Sequence, residues 1–133
     1  MDALTLRDTA IAALLPIGVD ITSGEPETDP DGRVRRTVIL TTTAGTAGNR
    51  RAAGGSVNRD GYVNALVVAA SRDSCVWLTE RVRDALADMP LGNGQGRLTD
   101  ASYDAEPLSE PDTSPARWSQ ALAFTATRKR NAP

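Results

Sequence analysis

Histidine is absent from this chain of 133 residues, and cysteine occurs once, as Cys75. Without histidine, Ser-His-Asp and Cys-His nucleophilic catalysis are excluded, and so are the commonest metal ligand and the usual proton shuttle near neutral pH. A single cysteine excludes an intrachain disulfide framework and a cysteine-based zinc site. Two Trp, two Tyr and one Phe are the only aromatics, so few large rings can fill a core or stack on bases. Lysine is nearly missing: of fifteen cations, all but Lys129 are arginine, which reads as a coding bias toward GC-rich codons. No stretch approaches the roughly 18 apolar residues of a membrane span. The start Met1-Asp2-Ala3-Leu4 is acidic and lacks the charged n-region and apolar h-region of a leader. A protein made in the cytosol, with no membrane partner, is expected.

What is present fits one domain spanning residues 1–133. A chain of this size buries roughly 65–70% of its unfolded surface and is stable without disulfides or metal. Hydrophobic residues make up 40% of it, mostly Ala, Leu, Val and Ile, so the expected core is thin. The net charge of −2 argues against general nucleic-acid binding, which draws its affinity from many Lys or Arg contacts to phosphate.

Along the chain, Leu4, Ile11, Leu14 and Leu15, with Leu6 and Ala10 nearby, predict a helix over 3–15 that Asp2 caps and Pro16 ends. Ile17, Val19 and Ile21 alternate with polar residues, the period of a strand with one buried face. Residues 23–32, with Pro26, Pro30 and four acids, read as an exposed loop. Arg33–Thr43 is rich in β-branched residues and reads as a second strand, its Val38-Ile39-Leu40 run suited to burial on both faces. Residues 44–56, with four glycines and no large apolar side chain, read as a flexible loop to a third, central strand over 61–70.

Ser71 or Asp73 can cap the clearest helix, in which Cys75, Leu78, Val82, Ala85, Leu86 and Met89 recur at helical spacing. Its stripe makes Cys75 a small core residue, not a reactive thiol. Pro90 and three glycines follow; residues 97–105 alternate weakly, and 106–115, with three prolines, read as a further exposed loop. In the last strand Trp118, Gln120, Leu122, Phe124 and Ala126 share a face, with Trp118 and Phe124 facing the core. Residues 128–133 form a basic tail. The order α-β-β-β-α-β-β predicts an α+β domain, with two helices on one face of a mainly antiparallel sheet of about five strands. A doubly wound nucleotide-binding sheet does not fit it.

No catalytic constellation stands out, and the chain is read as non-enzymatic, without cofactor or metal. The carboxylates Glu25, Glu27, Asp29 and Asp31, and the second set Asp100, Asp104, Glu106, Glu110 and Asp112, do not match a calcium loop, and the prolines among them restrict convergence. Gly45-Thr46-Ala47-Gly48-Asn49-Arg50 lacks the Gly-Lys-Ser/Thr of a phosphate loop.

The passage from YVNALVVAAS (62–71) through DSCVWLTERVRDALADM (73–89) and LGNGQGRLTDASYDAEPL (91–108) to ARWSQALAFTATRKR (116–130) resembles the tail terminator proteins of long-tailed, siphovirus-type bacteriophages. The likeness covers nearly the whole chain. It is carried by a helix ending V-x-x-A-L, a Gly-rich turn and a Trp-containing last strand. The resemblance implies a structural virion protein of the tail and neck, made in the host cytoplasm, that forms a ring, typically a hexamer, on the head-proximal end of the tail tube. There it would stop tube polymerisation and offer the surface for head joining. Its implied partners are further copies of itself, the tail tube protein and the head-tail connector protein. Another neck component (head closure or tail completion) and a small-molecule binding module are the alternatives.

A ring needs an interface, and the cations suggest one. Arg33, Arg35 and Arg36 open the second strand, and Arg50, Arg51 and Arg59 precede the third, so a hairpin would bring some of them together. Arg128, Lys129 and Arg130 add a basic end. A neighbouring subunit's acids, DNA passing through the lumen, and plain solvation of a strand end are three readings of this set.

Overall fold

The computed structural model describes residues 3–43, 61–91, 96–102 and 106–127. In chain order it contains α1 (Ala3–Leu14), a single 3-10 turn (Leu15–Ile17), β1 (Asp20–Thr22), β2 (Thr37–Thr43), β3 (Gly61–Ala69), α2 (Arg72–Leu86), β4 (Arg97–Asp100), β5 (Leu108–Glu110) and β6 (Arg117–Thr127). The class is α+β, with both helices on one face of a mixed six-stranded sheet ordered β1-β2-β3-β6-β4, β5 pairing with β6. All strand pairs are antiparallel except β1 with β2.

Alternation builds the core. The register Leu40↔Ala65↔Leu122 and Val38↔Val67 sends these side chains, with Val63, Phe124 and Leu98, toward the helices, where all are buried. Against them α1 places Leu6, Ala10 and Leu14, and α2 places Cys75, Leu78, Val82 and Leu86. Phe124 is the largest fully buried side chain.

Several boundaries differ from the sequence expectation, each for a local reason. Pro16 does not simply end α1; it sits in the first positions of the 3-10 turn, closed by Gly18 at φ 81°, whose N–H donates to the Leu15 carbonyl at 3.1 Å. That turn takes the residues whose alternation suggests an earlier strand, and β1 shrinks to Asp20–Thr22. Arg33, Arg35 and Arg36 lie before β2 instead of opening it. Residues 27–35 turn back on themselves, with Arg35 N–H donating to the Glu27 carbonyl at 2.9 Å and Asp29 N–H to the Arg33 carbonyl at 2.7 Å. The stretch 106–115, expected as loop throughout, contains β5 between two of its prolines.

The face of α1 also differs. Leu6, Ala10 and Leu14 point inward, whereas Leu4, and Leu15 in the 3-10 turn, whose spacing helped to predict the helix, are 72% and 63% exposed. Apolar side chains lie on both sides of this helix, with Arg7 and Asp8 between the outer ones, so periodicity alone does not select a face. In α2, by contrast, the expected stripe is the buried one, and Ser71 is the cap, its Oγ accepting the Ser74 N–H at 3.2 Å. Among the described residues no helix is long and apolar enough to cross a membrane.

Candidate functional site

Both helices lie on one face, and among the described residues no helix packs on the other. There the alternation presents Ile39, Thr41 and Thr43 from β2, Tyr62, Asn64 and Leu66 from β3, and Ala121, Ala123 and Thr125 from β6. Residues 37–43, 61–69 and 118–127 contain no Asp, Glu, Lys or Arg, although 24% of the chain is charged. A strand face toward water normally carries polar residues on its outward positions; here Thr41, Thr43, Asn64 and Thr125 are mixed with Ile39, Leu66, Ala121 and Ala123. Depletion of charge is instead what marks the centre of protein interfaces.

One end of this face is closed. Arg117, at the start of β6, holds Glu25 at 3.5 Å and Glu110 at 3.4 Å. Glu25 follows β1, at the far side of the sheet, so its segment crosses this end, where Thr37 and Val68 are buried. The loop 23–32 is exposed as expected, with only Pro26 and Asp29 half-buried. Farther along, the edge of β6 is divided: β4 pairs with residues from Phe124 to Thr127 and β5 with Arg117 to Ser119. Ser102 bridges the gap, its Oγ accepting the Ala123 N–H at 3.0 Å and lying 3.2 Å from the Ala123 carbonyl. Beside this gap lies an open depression of about 520 Å³, lined by Ile39, Leu66, Leu108, Ala121 and Ala123. Leu108 on its rim is 68% exposed.

The arginines proposed as an interface are only partly described: Arg50, Arg51, Arg59, Arg128, Lys129 and Arg130 lie outside the described residues, as does the glycine-rich loop 44–56. Of the other three, two are engaged within the chain. Arg35 holds Asp20 in a two-point contact, Nε to Oδ2 at 2.6 Å and Nη2 to Oδ1 at 3.2 Å, with Asp29 at 3.8 Å. The hydrogen bond and charge of Asp20 raise the Arg35 pKa, and the pair ties the 27–35 turn to β1. Arg36 reaches α2, its Nε donating to Ser74 Oγ at 2.7 Å and its guanidinium lying 4.7 Å from the Trp77 ring centre. Arg81 approaches the same ring at 5.2 Å. Arg33 is exposed and makes no ion pair among the described residues.

The carboxylates are dispersed among cations and do not converge. Asp29 faces Arg35, Asp100 faces Arg83 at 3.3 Å, Glu106 faces Arg72 at 3.7 Å, and Glu25 and Glu110 share Arg117. Among the described residues no group of three or more metal-ligating side chains comes together. Cys75 is fully buried under α2, and burial pushes its thiol above the ordinary value.

Sequence reasoning missed three features of this surface. The Trp77-Arg81 contact was signalled by its i, i+4 spacing, and the open face by the charge-free runs 37–43, 61–69 and 118–127. The exposure of Leu108 had no signal, because it depends on where the edge of β6 is left unpaired. No protein-family model and no curated protein matches the chain significantly.

Proposed function

We propose that this chain is a structural subunit of a long-tailed phage that assembles as a ring, typically a hexamer, on the head-proximal end of the tail tube. In that position it ends tube polymerisation and presents the surface to which the head is joined. The observation that carries the reading is the sheet face opposite the helices, whose outward positions on β2, β3 and β6 from Ile39 to Thr125 carry no charge and over which no helix packs among the described residues. The resemblance of the passage 62–130 to tail terminators supplies the setting, and the α+β order agrees with it. In this reading the chain works without catalysis or cofactor. Its partners are its own copies, the tail tube protein and the head-tail connector protein, with DNA passing through the lumen, and its location is the tail and neck of the virion.

Particles assembled without this chain test the proposal. They should carry tails of uncontrolled length that fail to join heads; tails of normal length joined to heads would contradict it. Position in intact virions separates this role from head closure or tail completion, since the terminator sits directly on the last tube ring. The 520 Å³ depression favours a second reading, a small-molecule binding module, because its size lies in the range of ligand sites. A saturable thermal shift with an apolar ligand would support that reading, and none across a broad screen would remove it.

A further inference from the structure

The turn between β1 and β2 holds a chemically reactive pair. Residues 29–32 read Asp29-Pro30-Asp31-Gly32, with Pro second and Gly fourth, the preference of a type I turn. The Gly32 N–H donates to the Asp29 carbonyl at 2.9 Å, Gly32 has φ at 89°, and Thr28 pairs with Val34 across the loop. This is the hairpin form in which a type I turn is followed by a left-handed residue. Asp31 and Gly32 are both exposed, and nothing lies within 4 Å of where a Gly32 Cβ would stand. An aspartate followed by glycine is open to attack by the next backbone nitrogen, because glycine has no Cβ to hinder the approach.

We infer that Asp31–Gly32 is a site of backbone isomerisation that the folded turn keeps shut, with Arg35 as the latch. In this reaction the Gly32 nitrogen attacks Cγ of the protonated Asp31 carboxyl. The N–Cγ bond forms, a C–O bond breaks, and that oxygen leaves as water with the amide proton. Water then adds to the cyclic imide. Opening at the main-chain carbonyl carbon leaves the chain running through Cβ and Cγ of Asp31, with the α-carboxylate free. Atoms are conserved overall, and no oxidant or cofactor enters. The product has one more backbone atom inside the turn, which puts the pairing of Thr28 with Val34 out of step.

The folded turn opposes the first step twice. The Gly32 N–H is engaged by the Asp29 carbonyl, and Asp31 Oδ1 is turned toward a different amide, accepting the Arg33 N–H at 3.0 Å. Nucleophile and electrophile are therefore held by separate partners. Arg35 then fastens the turn to the rest of the chain. Its N–H donates to the Glu27 carbonyl, and its guanidinium grips Asp20 on β1 at 2.6 and 3.2 Å, with Asp29 at 3.8 Å. Asp29, whose carbonyl engages the Gly32 N–H, is thus itself held by the latch. Attack requires the turn to open, so the rate at Asp31 follows the open fraction of this segment.

The test is peptide mapping of isoaspartate at residue 31 in the full chain, stored folded in mildly acidic buffer and, in parallel, unfolded in guanidinium. In the natural chain the folded rate should be at least several-fold below the unfolded one. Arg35→Ala releases Asp20 and Asp29, and Pro30→Gly loosens the turn; both leave the reacting pair intact, and each should narrow that ratio several-fold. The second Asp-Gly link, Asp60–Gly61, is the reference, and its ratio should stay constant. A change at both links marks a variant that unfolds, and the comparison within the natural chain then decides. Equal rates at Asp31 in the folded and unfolded natural chain overturn the protection, and a ratio that Arg35→Ala leaves unchanged overturns the latch.

Discussion

Asp88 follows α2 with φ at 60°, the left-handed region that glycine enters without a Cβ penalty. The position is held by backbone contacts: Asp88 N–H donates to the Leu98 carbonyl at 2.9 Å, and Arg97 Nη1 donates to the Asp88 carbonyl at 2.6 Å. Its carboxylate is not what the turn requires, so Asp88→Gly should raise stability by about 0.5–1 kcal/mol, read from the urea midpoint at constant slope. Cys75 gives a second test at this scale. Its folded pKa lies above the unfolded value near 9.0 because burial disfavours the thiolate. The unfolded chain therefore loses this proton first as pH rises. The contribution of the thiol is fully present below about pH 9 and is lost as pH rises toward the folded pKa. The difference in unfolding free energy between the natural chain and Cys75→Ala should be flat from pH 7 to 8.5 and should fall above 9; a flat difference to pH 10.5 would contradict burial of the thiol.

Among the elements, α2 depends on its cap, and Ser71→Ala should cost about 1 kcal/mol in a denaturant series, with Ser71→Asp retaining most of it. Phe124, on the central pair β3 and β6, should cost roughly 3–5 kcal/mol on truncation to Ala. These were the elements most readable in advance. In α2, β3 and β6 a single period runs long enough to select both type and face: Cys75, Leu78 and Val82 on the helix, Val63, Ala65 and Val67 on the strand. The shorter pieces were less readable because tertiary placement decides them. Ile17 and Val19 alternate like a strand, yet Pro16 and Gly18 favour a 3-10 turn. Leu108 lies between prolines and becomes a strand only because β6 has an unpaired edge. Leu4 and Leu6 differ little as letters, and only packing shows which one faces the sheet. The candidate interface followed the same rule: Arg35 and Arg36 stood out as cations, but Asp20 and Trp77, which engage them, are distant in sequence. The uncharged sheet face was present in the residues all along and became meaningful only once both helices lay on the other side.

At the scale of the whole molecule, few aromatics are available, and the described helices pack on one sheet face only. Among the described residues, the inner halves of α1 and α2 pack against the sheet, Leu4 and Leu15 beside them are exposed, and no helix packs on the far face. The central claim, a ring that ends a tube, is tested most directly by electron microscopy of the full chain mixed with growing tail tubes. One ring at one end of each tube, with elongation stopped there, is the predicted result; tubes that keep growing, or that bind the chain along their length, would contradict it.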